Sequence, residues 1–483
     1  MATTETTKRS WPTTLQPAVA ILLFSIASCG IFFPWISQFP AGLIRDDGYF
    51  YAQIAYNIGT RGLSTFDGIN PTDGYHQLWC YALAGLSWVL HFFTLAKGAH
   101  LFAYVTLNFV VIGIVAWIAS ERWLGRAAVV LLMCLCSFLM EGHLAMLWIA
   151  VALASLIRAQ DETLSVASLV ALFLLPITRV DAVLVFVPLL GLWFFAGARR
   201  QAMLASSALG MGIVLHVGML KLLHGSWVTV SSEAKAANAV SSRNLFVENL
   251  FHGVGSLPIP INPMPLIFFA LAALSCVLAL KAPEHRRGLL MAVLGGALFG
   301  LIHLIFNEAR PWYYTVPYGI FALCSLKAIE ASPKCARLGS ILLSSVCLLI
   351  LGLGYRQARK YSDEAVATHA FLAGLGRIVP AGEAVYMVDG SGYAGWVADR
   401  PIVNGDGLVN SHEYMRRLRQ GRLANYMTER GLRYFLTDAI GPDEPLLINV
   451  GGLRVTRLQA DEVAVKPGNG RYRFTQLVLW RLK

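Results

Sequence analysis

Three features of this sequence predict a polytopic α-helical membrane protein with a small C-terminal α/β domain. The 483 residues are 56% hydrophobic and only 14% charged, with a mean hydropathy of +0.58, which lies outside the composition of a soluble globular chain. Apolar runs of spanning or near-spanning length recur up to about residue 355 and then stop. Beyond Tyr355 charge density rises, and strand-like runs appear at Ala384 to Asp389, Arg433 to Asp438 and Thr475 to Trp480, around a polar helical stretch near Ser411 to Arg430. The net charge of +11 reads as topology and not as nucleic-acid binding, because membrane proteins carry excess Lys and Arg in short cytoplasmic loops. All eight cysteines but Cys335 lie within or beside apolar segments without paired knuckle spacing. Neither a disulfide framework nor a zinc site follows.

Taken in order, the first run, Pro17 to Phe39, follows Lys8 and Arg9 and is too long for a signal-peptide core. It predicts an uncleaved first helix with its N-terminus in the cytoplasm. Further runs lie at about 77–95, 99–119, 126–140, 143–157, 163–178, 182–197, 203–222, 264–281, 288–306, 311–329 and 337–355, giving about 11–13 transmembrane helices. If helices alternate from residue 99, then Arg122/Arg126, Arg158, Arg199/Arg200, Lys281/Arg286/Arg287 and Lys327/Lys334/Arg337 share one side, which is cytoplasmic. Lys97 alone dissents. An odd total follows, so the segment 77–95 either does not cross by itself or pairs with its neighbour as a juxtamembrane or re-entrant hairpin. The opposite, outer face then collects the loop Ile44 to His76, the Glu141–His143 turn, the Thr178–Asp181 turn, the loop Lys221 to Pro263, Asn307–Trp312 and the tail. The division is a transmembrane domain over 1–356, with external loops at 44–76 and 222–263, and an extracytoplasmic α/β domain over 357–483.

Chemistry concentrates on that outer face. Asp46-Asp47-Gly48-Tyr49-Phe50-Tyr51 opens a stretch in which Phe50, Tyr51, Ile54, Ala55 and Ile58 recur at helical spacing. An amphipathic interfacial helix fits, with Asp46 at the N-cap and Asp47 in the first turn, where free N–H groups and the helix dipole favour carboxylates. Such a pair reads either as two capping acids or as the ionised, aimed carboxylate that a general base or metal ligand needs. The loop continues Phe66-Asp67-Gly68-Ile69-Asn70-Pro71-Thr72-Asp73-Gly74-Tyr75-His76-Gln77-Leu78-Trp79. Together these residues resemble the first external loop of bacterial GT-C glycosyltransferases, polytopic enzymes that use polyprenyl-phosphate sugars. The pattern there runs roughly Asp-Asp-Ala-Tyr-Tyr-Tyr, then Phe-Asp-Gly-Ile-x-Pro-Thr-Asn-Gly-Tyr-x-Pro-Leu-Trp. This chain departs at Gly48, at Asp73 for Asn and at Gln77 for Pro. Met140-Glu141-Gly142-His143, Thr178-Arg179-Val180-Asp181, the run Gly225 to Lys235, and Val403 to Asn410 resemble further GT-C motifs in the same order, with departures at Gly142-His143, Thr229 and Asn404. Arabinofuranosyltransferases and ArnT-like and PMT-like enzymes are similar in this sense.

The resemblance implies an inverting transfer of sugar from a polyprenyl-phosphate donor to the hydroxyl of a cell-envelope glycan, lipid or protein such as a pilin, at the outer face of the bacterial cytoplasmic membrane. Asp46 is the first choice for the base that deprotonates the acceptor. Asp47, Glu141 and Asp181 would orient hydroxyls, or Asp47 and Glu141 would hold a divalent Mg or Mn ion if one is used; no cofactor is otherwise implied. Lys235, Arg179 and Arg310 are candidates to meet the charge of the leaving phosphate, with His76 and His143 adding hydrogen bonds. Glu308 shares this outer face as a candidate donor- or acceptor-binding residue, Tyr313 would contact the polyprenyl chain or sugar, and Tyr393 and Asp406 stand nearest the acceptor by resemblance. Each also has a plainer reading: Arg179 with Asp181, and Glu308 with Arg310, as structural ion pairs; Glu141 with His143 as a cap and a satisfied histidine; Lys235 as a solvated lysine; Trp312, Tyr313 and Tyr314 as an interfacial aromatic belt.

Gly390-Ser391-Gly392-Tyr393-Ala394-Gly395 matches a dinucleotide-binding glycine pattern literally. Pro401 shortly after it argues for turn and strand instead, with the glycines shaping a tight turn. A membrane transporter or flippase of a lipid-linked or anionic substrate is the competing reading, since buried charges serve transport equally well. It predicts broken mid-membrane helices in two related halves, which the sequence does not show. A third reading, a membrane-anchored assembly protein, predicts that the Asp46/Asp47 pair can be lost without effect.

Overall fold

The computed structural model describes residues 15–37, 42–134, 138–156, 164–239, 263–283, 285–307, 310–331, 363–438, 460–466 and 477–482. Helices α1 (Leu15–Ile36), α2 (Asp46–Arg61), α3 (Gln77–Phe92), α4 (Lys97–Ala119), α5 (Trp123–Cys134), α6 (Gly142–Leu156), α7 (Val166–Thr178), α8 (Val187–Phe195), α9 (Arg199–His224), α10 (Val230–Ala239), α11 (Pro263–Leu280), α12 (Arg286–Phe306) and α13 (Thr315–Ala331) come first. Among the described residues α4, α9, α12 and Pro17–Ile36 of α1 are long and apolar enough to cross a membrane alone, and five shorter apolar helices accompany them. Their outward faces carry Ile31, Phe195, Val214 and Leu222, the last two 73% and 86% exposed. An apolar surface of that kind suits lipid. The expected span 337–355, and Arg158, Glu308, Lys334 and Arg337, fall outside the described residues.

α3 is a 16-residue helix, about 24 Å long, that lies along α2. It packs more closely on α2 than on α4. The interfacial reading of α2 needs correction. The helix is buried from Gly48 to Ala55 and at Asn57, because α3 packs on one side of it and a short helix of the C-terminal domain on another. Gly48, where the related pattern has alanine, lies against the segment before α6, where a Cβ would come 2.7 Å from the Phe138 carbonyl.

The C-terminal domain is a mixed five-stranded sheet in the order β2-β1-β3-β5-β4, from β1 (Val385–Met387), β2 (Ile402–Asn404), β3 (Tyr434–Asp438), β4 (Ala460–Lys466) and β5 (Leu477–Leu482). β1 pairs in parallel with β2 and β3, and β5 pairs antiparallel with β3 and β4. Between β1 and β2 runs α14 (Ser391–Val397), and α15 (His412–Arg419) and α16 (Leu423–Glu429) precede β3. The glycine-rich stretch is therefore a helix and not only a turn. Its glycines permit docking: a Cβ on Gly392 would collide with the Asp46 backbone, and one on Gly395 would collide with the Phe66 ring. Tyr386, Tyr414, Phe435 and Trp480 form this domain's core, and Val230 and Ala234 of α10 join it.

The loop between α2 and α3 locks the two parts together. Asp67 Oδ1 accepts the amides of Ile69 and Asn70, closing a turn, and Asn70 Oδ1 accepts from the Tyr426 hydroxyl of α16 at 2.9 Å. Aromatic edges complete the seam, with Phe50 against Phe66 at 5.3 Å and Tyr49 against Tyr393 at 4.9 Å. Each such pair contributes about 1 kcal/mol beyond the area it buries.

Candidate active site

The floor of the site is fixed by a strained residue. Leu139 has φ of 65°, unusual for a branched side chain. Its amide donates to Asn108 Oδ1 and its carbonyl accepts from Trp79 Nε1, both at 2.7 Å, so the strain is over-determined. Two residues on, Glu141 enters the site at the start of α6, 2% exposed. Its Oε2 accepts from the Tyr51 hydroxyl at 2.8 Å, and its Oε1 accepts from Arg179 Nη1 at 2.8 Å, with His76 Nε2 at 3.4 Å.

Arg179, also 2% exposed, sits at the end of α7 and holds Asp181 with Nε at 2.9 Å and Nη2 at 3.2 Å. Asp181 Oδ2 in turn meets His303 Nε2 of α12 at 2.9 Å. The Tyr313 ring stacks on His303 at 4.3 Å, and the Arg179 guanidinium lies 5.4 Å from the Tyr313 centroid. One arginine therefore serves two carboxylates in a chain Glu141–Arg179–Asp181–His303. The plain reading of Arg179 and Asp181 as an ion pair is what the geometry contains, and the network extends it to α6 and α12.

Above this floor stand the two aspartates. Asp46 is not the N-cap of α2; Arg45 occupies that position without a side-chain bond, and Asp46 is the first helical residue. Its carboxylate instead caps a different helix, with Oδ1 accepting the Tyr393 amide at 2.9 Å and Oδ2 the Gly392 amide at 3.1 Å, both at the start of α14. Burial pushes Asp46 well above the usual carboxylate range, and these two amide bonds offset only part of that. Asp47 faces elsewhere. Burial, opposed by the charges of Lys235 and Arg310, places its carboxyl at about 6. Lys235 Nζ is 5.8 Å from the Tyr313 centroid, and Arg45 and Arg310 lie close enough to press on each other's charge. From the C-terminal domain Asp389 and Asp406 approach the pair electrostatically, and burial raises Asp406 to about 7.

Of the residues singled out in the sequence, Asp46, Asp47, His76, Glu141, Arg179, Asp181, Lys235, Arg310, Tyr313 and Asp406 converge on this end of the helices. Two do not present a side chain to it. His143 is fully buried inside the bundle, with Nδ1 against Asn108 Nδ2 and Nε2 against the Met133 carbonyl, both at 3.0 Å; it is the satisfied histidine. The Tyr393 hydroxyl turns to His369 Nδ1 at 3.0 Å, so only its amide serves the site. Tyr51, His303 and Asp389 went unnoticed in the sequence. A histidine in the last turn of an apolar span is the signal that marks His303. Among the described residues no group of three His, Cys, Asp or Glu side chains is placed to hold an ion.

No family model matches the chain, and no curated protein does. Among solved structures it is similar to ArnT from Cupriavidus metallidurans bound to undecaprenyl phosphate, at 14% identity and a TM-score of 0.53, over 97% of this chain and 98% of that one. The apo state of the same ArnT gives 14% identity and 0.49 over 97% of each chain. The archaeal oligosaccharyltransferase AglB from Archaeoglobus fulgidus, in complex with an inhibitory peptide and a dolichol-phosphate, gives 8% and 0.47 over 89% of this chain and 70% of that one. The chain has the GT-C fold, shared from end to end with ArnT.

Proposed function

We propose that this protein is an inverting glycosyltransferase that moves a sugar from a polyprenyl-phosphate donor to an acceptor hydroxyl at the outer face of the membrane, where its C-terminal domain also lies. The observation that carries the reading is a carboxylate at about 6, Asp47, set under the charges of Lys235 and Arg310 at one end of the apolar helices. A base near neutral pH beside fixed cations is what the reaction needs: the carboxylate takes the acceptor proton, the oxygen attacks the anomeric carbon, and the cations meet the charge on the departing phosphate. No nucleotide-sugar pool exists on that side, so a donor delivered within the bilayer meets the need. ArnT, of similar fold, was solved with undecaprenyl phosphate bound, which supports a donor of that class.

Within the pair we assign the base role to Asp47. Both Asp46 oxygens already accept backbone amides of α14, which makes Asp46 the tie that seats the C-terminal domain over α2. Glu141, Asp181 and Asp406 carry the acceptor or donor hydroxyls, and the division at about residue 356 separates the two parts. The test is sugar transfer from a panel of radiolabelled polyprenyl-phosphate sugars by membranes of a deletion strain expressing the native protein or Asp47→Asn at matched levels. Transfer from one donor by the native protein, lost in the variant, is the expected result. Equal transfer by both removes Asp47 as base.

A further inference from the structure

Lys235 stands at the site because α10 holds it there, and α10 is tied to both halves of the molecule by one cluster of charged groups outside the site. The N-terminus of α10 is fixed where the Val230 amide donates to Asp73 Oδ1 at 2.8 Å. On the face toward the C-terminal domain, Glu233 Oε1 meets His412 Nδ1 at 3.2 Å and Glu233 Oε2 accepts from Arg419 Nη2 at 3.1 Å. The other ring nitrogen of His412, Nε2, meets Asp73 Oδ2 at 3.0 Å. Lys235 comes two residues after Glu233, about 200° around the helix, and therefore faces away from this cluster toward Tyr313 and Asp47.

We propose that Asp73, Glu233 and His412 form a latch that positions Lys235 for the donor phosphate, closed while His412 is an imidazolium. This rests on the transferase reading for what Lys235 binds, though not for the latch itself. Both nitrogens of the ring face carboxylates, and a neutral imidazole has a proton for only one of them. The second contact then sets a lone pair against a carboxylate. The groups that face His412 are Asp73 from the first loop, Glu233 from α10, Arg419 from its own helix, and His224 at the end of α9, which senses both Asp73 and His412. The two acids prevail: hydrogen bonding to Asp73 raises His412 above the ordinary histidine value, against partial burial. The latch is therefore fully present below about 6.5 and is lost as pH climbs through the raised value. It also accounts for the acid at position 73, where the related pattern has asparagine, since an amide offers one acceptor oxygen and this position uses two.

Hydrogen exchange on the full-length protein in nanodiscs tests it directly. After correction for intrinsic exchange chemistry, the amides of 230–236 should exchange about tenfold faster at pH 9 than at pH 6, the loss of one charge-assisted hydrogen bond, while the β1 and β3 amides keep their protection. At pH 6, His412→Gln should reproduce the fast exchange in α10, and His412→Lys should restore slow exchange and make it independent of pH. Native exchange in α10 that ignores pH overturns the latch, and this comparison needs no variant to fold. A second arm uses undecaprenyl phosphate as probe at pH 6.5: His412→Gln should weaken binding about fivefold to tenfold, and Lys235→Ala at least as much. If the native protein binds no undecaprenyl phosphate while α10 still follows His412, the transferase reading fails and the latch stands. If binding is present but identical in His412→Gln, the latch fails and the transferase reading stands.

Discussion

Replacing Asp47 by Asn removes the carboxylate that stands at about 6 under the charges of Lys235 and Arg310, and the structure sets the size and shape of the effect. A general base contributes a factor of about 10² to 10⁴, or roughly 3 to 5 kcal/mol of barrier, so transfer by Asp47→Asn should fall by that factor. With the native carboxyl at about 6, kcat/KM should lose about tenfold for each pH unit below that point, because only the ionised form accepts a proton. Above it the profile should be flat until the α10 latch opens, giving a bell. The Asn variant should lose the acid limb along with the rate. Its donor KM should not rise, since Lys235 and Arg310 remain and no longer share their charge with a carboxylate. The assay is initial rate against donor concentration from pH 4.5 to 9 in reconstituted vesicles. A variant retaining more than a tenth of native kcat with the acid limb still near 6 refutes the assignment.

Other consequences are equally specific. Gly392→Val puts a side chain into the Asp46 backbone and should unseat the C-terminal domain, seen as faster proteolysis near residue 363 and a lower Tm. Arg179→Ala leaves Glu141 buried and Asp181 half-buried without their shared cation, a loss of about 3 kcal/mol, so folded yield should drop where Lys235→Ala leaves it intact. Lys235→Ala should raise donor KM and lower kcat together, since it meets charge in both the ground and the transition state. His143→Gln should change expression more than the pH profile, because that ring is buried against Asn108 and Met133.

Hydropathy made the apolar helices legible, and short strand-like apolar runs made β1, β3 and β5 legible, because both signals are local in the chain. Sidedness placed most of the site: residues from six separate turns share one end of the helices, and loop charge alone predicts that. Long-range geometry stayed hidden. Asp46 looked like a cap for its own helix, yet it caps one that begins 345 residues later, and no spacing rule reports such a pairing. The glycines near 392 signalled close approach correctly, but whether a phosphate or a neighbouring helix makes the approach depends on what packs there. Tyr51 sits in an apolar periodic stretch where it reads as core, and only the fold reveals the carboxylate it touches.

The central claim is that a bond is broken and a sugar moved, and the most direct measurement is the stoichiometry and stereochemistry of one turnover. Purified protein in vesicles, given a polyprenyl-phosphate sugar and a hydroxyl acceptor, should release one polyprenyl phosphate for each sugar transferred, with the product anomer inverted by NMR. Donor carried across the bilayer with its sugar–phosphate bond intact, and no transfer, would contradict the account and establish transport instead.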